Sequence, residues 1–112
     1  MTRETLNGAV LDALYAVIES RRGGDPESSY TARLLDGGPA KIAQKVGEEA
    51  VETVIEAARA NKEGVISESA DLLYHLLALW AASGVAPEEI WGALESRKGT
   101  SGIAEKAARK QD

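Results

Sequence analysis

Apolar residues return every three or four positions between Glu4 and Arg22, at Leu6, Val10, Leu11, Leu14, Val17 and Ile18. That spacing lays one stripe of an α-helix against a core, so a first helix is predicted here, with Thr2 as its cap. Gly23, Gly24, Asp25 and Pro26 stop it, because glycine accepts the left-handed helix terminus and proline cannot continue the hydrogen-bond ladder. Ser28 or Ser29 is placed to cap a short turn through Tyr30, Thr31, Arg33, Leu34 and Leu35, which Gly37 and Gly38 close. Pro39 suits the first position of a second helix, where its missing N–H is no loss, and that helix runs to about Ala60. Asn61 and Gly64 punctuate the turn into a third helix, from about Val65 to Ser83, which Gly84 ends. Pro87 opens a fourth, carrying Ile90, Trp91 and Leu94. The connections are short, so the two long helices should be antiparallel neighbours. The expected fold is all-α, a small helical bundle of two long antiparallel helices plus shorter ones.

Composition keeps this picture and narrows it. A chain of 112 residues has room for one domain, with a core at about 3–97 and a polar tail at 98–112. With 4% aromatic residues and no Phe, the core has to be built from Leu, Val, Ile and Ala. Two long and two shorter helices barely cover their own apolar faces, so homodimerisation is expected to complete the core. The net charge of −5 and the scatter of the basic residues argue against a nucleic-acid partner. The absence of cysteine excludes a thiolate metal site and accords with a reducing cytoplasm. No secretory leader is apparent at Met1–Asn7. The most apolar run, Ala70–Ala82, is broken by Asp71 and His75 and is too short for a membrane span. A cytoplasmic protein that binds no membrane is the expectation.

The candidate chemistry lies in carboxylates. Lys41, Lys45, Glu48, Glu49, Glu52 and Glu56 share one stripe of the second helix, with Ile42, Ala43, Val46, Ala50, Val54 and Ala57 expected on its inner side. Taken alone, this is an ordinary solvated face with a Lys45–Glu49 pair. Yet Glu48 and Glu52, and Glu52 and Glu56, are like charges one turn apart, which costs helix stability. On the third helix Glu68 and Asp71 stand three apart, and Asp71 runs directly into Leu72–Trp80, a stretch apolar almost all round. An ionised Asp71 buried there would need a cation beside it. One or two lysines, or Arg33, are too few for four or five converging carboxylates. Oxygen donors with a single His and no Cys suit Mg²⁺, or Mn²⁺, and such an ion usually bridges to substrate phosphates. Hydrolysis of a nucleotide phosphoanhydride is the chemistry that follows.

The stretches Ser29-Tyr30-Thr31-Ala32-Arg33-Leu34, Lys41–Thr53 (KIAQKVGEEAVET) and Ala70–Leu77 (ADLLYHLL) resemble the phosphoribosyl-ATP pyrophosphatases of histidine biosynthesis, within the all-α nucleotide pyrophosphatases. The likeness covers roughly Ser28 to Leu94. That superfamily carries E-x-x-E on one helix and E-x-x-D on the next, here Glu49 and Glu52 with Glu68 and Asp71. The resemblance implies Mg²⁺-dependent hydrolysis of phosphoribosyl-ATP to phosphoribosyl-AMP and pyrophosphate by a homodimer, in a form without the cyclohydrolase to which some members are fused. On this reading Glu49, Glu52, Glu68 and Asp71 ligate the ion, and Glu48 is a further ligand or orients the water. Lys41 and Lys45 meet phosphates, and Tyr30 and Arg33 either meet the base or the ribose phosphate or serve packing. His75 is either a satisfied core residue or a group that hydrogen-bonds the Asp71 carboxylate or touches the ligand, and Lys98, with Arg97, Gly99, Thr100, Ser101 and Gly102, is either a disordered polar end or offers groups for a phosphate. Two rivals remain at this point: a housekeeping nucleoside triphosphate pyrophosphatase with the same metal site, and a non-enzymatic helical dimerisation module.

Overall fold

A computed structural model describes residues 6–99, which form five α-helices and no strand among the described residues. They are α1 (Ala9–Ser20), α2 (Tyr30–Gly37), α3 (Pro39–Ala58), α4 (Lys62–Ser83) and α5 (Pro87–Arg97). The expected cap at Thr2 and helix start at Glu4 lie outside the described residues. Within them, Asn7 Oδ1 accepts from Ala9 N at 2.8 Å, and α1 begins there. The short turn expected after Ser29 is a helix of eight residues, with Ser29 Oγ accepting from Ala32 N at 3.1 Å.

The turn between α3 and α4 fixes the layout of the site. Ala60 N bonds Ala57 O at 3.0 Å and Asn61 N bonds Glu56 O at 3.0 Å, so the chain reverses in the two-bond pattern that closes helix C-termini. Asn61 Oδ1 then accepts from Gly64 N at 3.3 Å and starts α4. The two long helices therefore run antiparallel and make the principal packing contact of the fold. Ala60 does this with φ +57°, a left-handed conformation in which its Cβ is unwelcome, whereas Gly84 ends α4 at φ +72° with no such cost. Ala60→Gly is expected to stabilise the protein and Gly84→Ala to destabilise it, each by about 1 kcal/mol. Urea unfolding midpoints should move in opposite directions.

Ile18, Ile42, Leu77, Ala78 and Ala81 form the buried core, with Leu11, Leu14, Leu34, Leu35 and Trp80 packed around it. Trp91 Nε1 donates to Asp12 Oδ1 at 3.0 Å and its ring meets Trp80 edge-on at 6.0 Å, which ties α5 to α1 and α4. Arg22 joins the ends of α1 and α4 by donating to Ala81 O at 2.6 Å.

Two sequence expectations need correction. On α3 the inward arc is Ile42, Val46, Glu49 and Thr53, while Ala43, Val54 and Ala57 face outward. Seven-residue spacing puts Ile42 and Glu49 on one line, so the acid rides inward with the isoleucine. On α4 the apolar run is buried only in part: Leu73 is exposed in the single chain, and so are Asp71 and, before the run, Ile66. The buried acid that demands compensation is Glu49, at 8% exposure.

Candidate active site

α3 delivers Glu49 and Glu52 one turn apart, and α4 faces them with Glu68 and Asp71, also one turn apart. One carboxylate oxygen from each of Glu49, Glu68 and Asp71 lies within 4.8 Å of the others. Glu52, exposed on the same helix as Glu49, lies beside the Glu68 side chain. This contact is the largest influence on Glu68. Together with its loss of water and the charges of Glu52, Asp71 and Glu49, it pushes the Glu68 carboxyl up to about 7. Thr53 Oγ1 hydrogen-bonds the Glu49 carbonyl at 2.8 Å, one turn deeper on the same arc.

The donor set matches a hard divalent cation in two respects. Every converging atom is a carboxylate oxygen, the ligand type that Mg²⁺ and Mn²⁺ take. Moreover, Glu49 Oε2 and Glu68 Oε2 are buried without any hydrogen-bond partner, a costly state for an acceptor unless something positive completes it. Among the described residues the cation paired with Glu49, Lys45 Nζ, is 3.9 Å from Glu49 Oε1 and 3.4 Å from Glu48 Oε1, so it serves Glu48 at least as much.

Glu48 stands apart from this group. It is exposed, it accepts from Gln44 Nε2 at 3.1 Å, and Gln44 and Lys45 together hold its carboxyl below the ordinary range. Glu56, the last acid of the stripe, accepts from Asn61 Nδ2 at 2.8 Å and pairs with Arg59 at 3.6 Å, which makes it part of the α3–α4 turn.

Beside the acids a cleft of about 500 Å³ opens between α2 and the first half of α3. Its lining brings together Tyr30, Arg33, Lys41, Lys45 and Glu48, all singled out in the sequence, with Gln44 and Asp36, which were not. Gln44 had a signal in its spacing, four residues before Glu48 on a helix. Three cations in an open cleft that adjoins an acidic cluster form the arrangement a polyphosphate bridging to a metal requires. Arg33 is braced by donating its Nε to Pro26 O at 3.1 Å. His75 is buried beneath this cleft: its ring nitrogens reach the Asp71 backbone carbonyl at 2.8 Å and the Tyr30 hydroxyl at 2.8 Å, and the carboxylate of Asp71 is not its partner. Lys98 follows α5, away from the cleft lining, and pairs with Glu95 at 3.3 Å. Thr100, Ser101 and Gly102 lie outside the described residues. No helix among the described residues is long and apolar enough to cross a membrane.

Comparison with known proteins adds the family. The profile of the phosphoribosyl-ATP pyrophosphohydrolases matches residues 11–98. A phosphoribosyl-ATP pyrophosphatase of Azospirillum brasilense is 62% identical over 110 residues, which is 98% of this chain and 99% of the relative. Namesakes from Gluconobacter oxydans and Paramagnetospirillum magneticum are 56% identical over 103 residues and 57% over 100, covering 92% and 89% of this chain and 77% and 92% of theirs.

Proposed function

The chain belongs to the phosphoribosyl-ATP pyrophosphohydrolase family, and from that premise we propose that it hydrolyses phosphoribosyl-ATP to phosphoribosyl-AMP and pyrophosphate, in histidine biosynthesis, at the junction of the acidic cluster and the basic cleft. The observation that carries the placement is the pair of buried, unpartnered oxygens on Glu49 and Glu68 beside the three cations of the cleft.

Each part of the site has a role that its chemistry suits. Glu49, Glu52, Glu68 and Asp71 hold Mg²⁺, with Mn²⁺ as a substitute. When bound, the ion neutralises phosphate charge and makes a water more acidic. Arg33, Lys41 and Lys45 draw the polyphosphate into the cleft and orient it, with Arg33 able to make the forked contact that lysine cannot. Glu48, held ionised by Gln44 and Lys45, keeps Lys45 extended along the cleft rim. The scissile bond is the α–β phosphoanhydride, so the released pyrophosphate departs past Lys41 and Lys45. We place the site in a cytoplasmic homodimer: Val51, Val54 and Ile55 on α3 and Ile66 and Leu73 on α4 are each exposed in one chain, apolar side chains that a second copy would cover. Sedimentation at micromolar concentration is expected to give twice the monomer mass, and a monomer would remove this part of the reading.

The deciding experiment is pyrophosphate release from phosphoribosyl-ATP with Mg²⁺, set against a panel of deoxynucleoside triphosphates. Phosphoribosyl-ATP should be preferred by at least about a hundredfold in kcat/KM, the discrimination that a site making polar contacts to the extra phosphoribosyl group supports. Equal turnover of the panel would instead indicate a housekeeping pyrophosphatase.

A further inference from the structure

Two of the three tyrosines in this chain and its single histidine meet in one cluster, of which Tyr30 lines the cleft. Tyr30 stacks on Tyr74 with ring centroids 6.4 Å apart and planes 23° from parallel. His75 stands edge-on to both rings, at 5.9 and 5.3 Å. Tyr74 is itself fixed by a hydrogen bond between its hydroxyl and Thr31 Oγ1. A tyrosine at a protein surface ordinarily buries its ring and leaves its hydroxyl wet. Tyr30 inverts this at its hydroxyl, which meets His75, itself 6% exposed, while the residue as a whole is 48% exposed and lines the cleft.

The imidazole is set up to maintain that inversion. A backbone carbonyl can only accept, so Nδ1 carries the hydrogen that reaches Asp71 O at 2.8 Å, and in the neutral ring Nε2 is left to accept from the Tyr30 hydroxyl at 2.8 Å. His75 thereby links the backbone of the metal-cluster helix α4 to the ring of Tyr30 at the start of α2. We propose that His75 is a positioning residue for substrate recognition, holding Tyr30 as the stacking platform for the adenine ring while Arg33, Lys41 and Lys45 take the phosphates. The assignment of adenine rests on the phosphoribosyl-ATP reading of the cleft. Stacking on an aromatic face is available to any base, whereas hydrogen bonds from the cations are not, which divides the labour between the two kinds of side chain.

The test is steady-state kinetics of the full chain with four variants. Tyr30→Ala should raise KM for phosphoribosyl-ATP about tenfold with kcat changed less than about twofold, the size expected for loss of one base–aromatic stack. His75→Ala should reproduce most of that rise, and His75→Gln, whose amide oxygen can accept from the hydroxyl, should recover most of it. Tyr30→Phe should raise KM about threefold alone and add nothing in the His75→Ala background. Unchanged KM in Tyr30→Ala, a His75→Gln no better than His75→Ala, or additivity of the two mutations would each overturn the proposal. A readout independent of turnover uses ring NMR signals of Tyr30, assigned by loss in Tyr30→Phe, during titration with ATP and with inorganic tripolyphosphate. A shift with ATP alone supports the platform, and equal shifts with both refute it. Absence of pyrophosphate release by the wild type, in contrast, refutes the functional reading and leaves this titration to decide the stacking by itself.

Discussion

Glu49→Gln is expected to lower Mg²⁺-dependent pyrophosphate release by at least about a hundredfold, since even groups that merely orient metal ligands are worth 10- to 100-fold. The same change should leave the metal-free protein as stable as the parent or more so. In the parent, the Glu49 carboxylate is buried with one oxygen unpartnered and faces Glu68 and Asp71. The amide removes that repulsion, and its volume is almost the same. Activity and stability should thus move in opposite directions, a pattern that damage to the fold cannot produce. Glu48→Gln is the informative comparison: one position earlier, exposed and engaged with Gln44 and Lys45, it should cost less than about tenfold. Thermal melts complete the test, because saturating Mg²⁺ should raise the midpoint of the parent and of Glu48→Gln and should do little for Glu49→Gln. Full turnover in Glu49→Gln would remove Glu49 from the site.

The contrast between neighbours at 48 and 49 marks where a single sequence stops being informative. Helix limits were legible because the punctuation is chemical: Pro39, Asn61, Gly84 and Pro87 each stand at the end they were expected to mark. Antiparallel pairing of α3 and α4 followed from the short turn, and that pairing alone carries Glu49 and Glu52 to Glu68 and Asp71. What the periodicity left open was which part of α3 packs on α4. Ile42, Ala43, Val46, Ala50, Val51, Val54 and Ile55 cover well over half of its circumference, so the pattern accommodates more than one inward arc. The fold uses the arc of Ile42 and Glu49 and leaves Val51, Val54 and Ile55 outside. For the same reason the argument from burial applies to Glu49, where the sequence had assigned it to Asp71. The cleft was half legible: Lys41 and Lys45 were visible as cations at helical spacing and Arg33 as a cation on the short turn before them, but Tyr74 read as core and Thr31 as part of that turn, because nothing local says that α2 packs on α4.

Removing divalent metal is expected to invert the way stability depends on pH. The Glu68 carboxyl has an ordinary value of 4.5 and is pushed up to about 7 in the folded protein, by its contact with Glu52 first and by desolvation next. The folded state therefore binds this proton more tightly than the unfolded chain does. Its contribution is fully present below about pH 4.5 and is lost as pH rises through about 7, so the metal-free melting temperature should fall between about pH 5 and 8. Other shifted groups act elsewhere: Glu48 is held below 4.5, and Lys45 and Tyr15 titrate above 10.5 and 10.0. At the proposed metal site Mg²⁺ would compete with the proton on Glu68, because ligating carboxylates must be ionised. Its stabilisation should grow over the same interval, reaching about 2.7 kcal/mol at a hundred times its Kd. Melting curves in EDTA and in Mg²⁺ should accordingly diverge as pH rises, and binding at about pH 6 should release protons, seen calorimetrically as a dependence on the ionisation heat of the buffer. Parallel curves would mean that Mg²⁺ binds away from Glu68, and the four carboxylates would then not be its site.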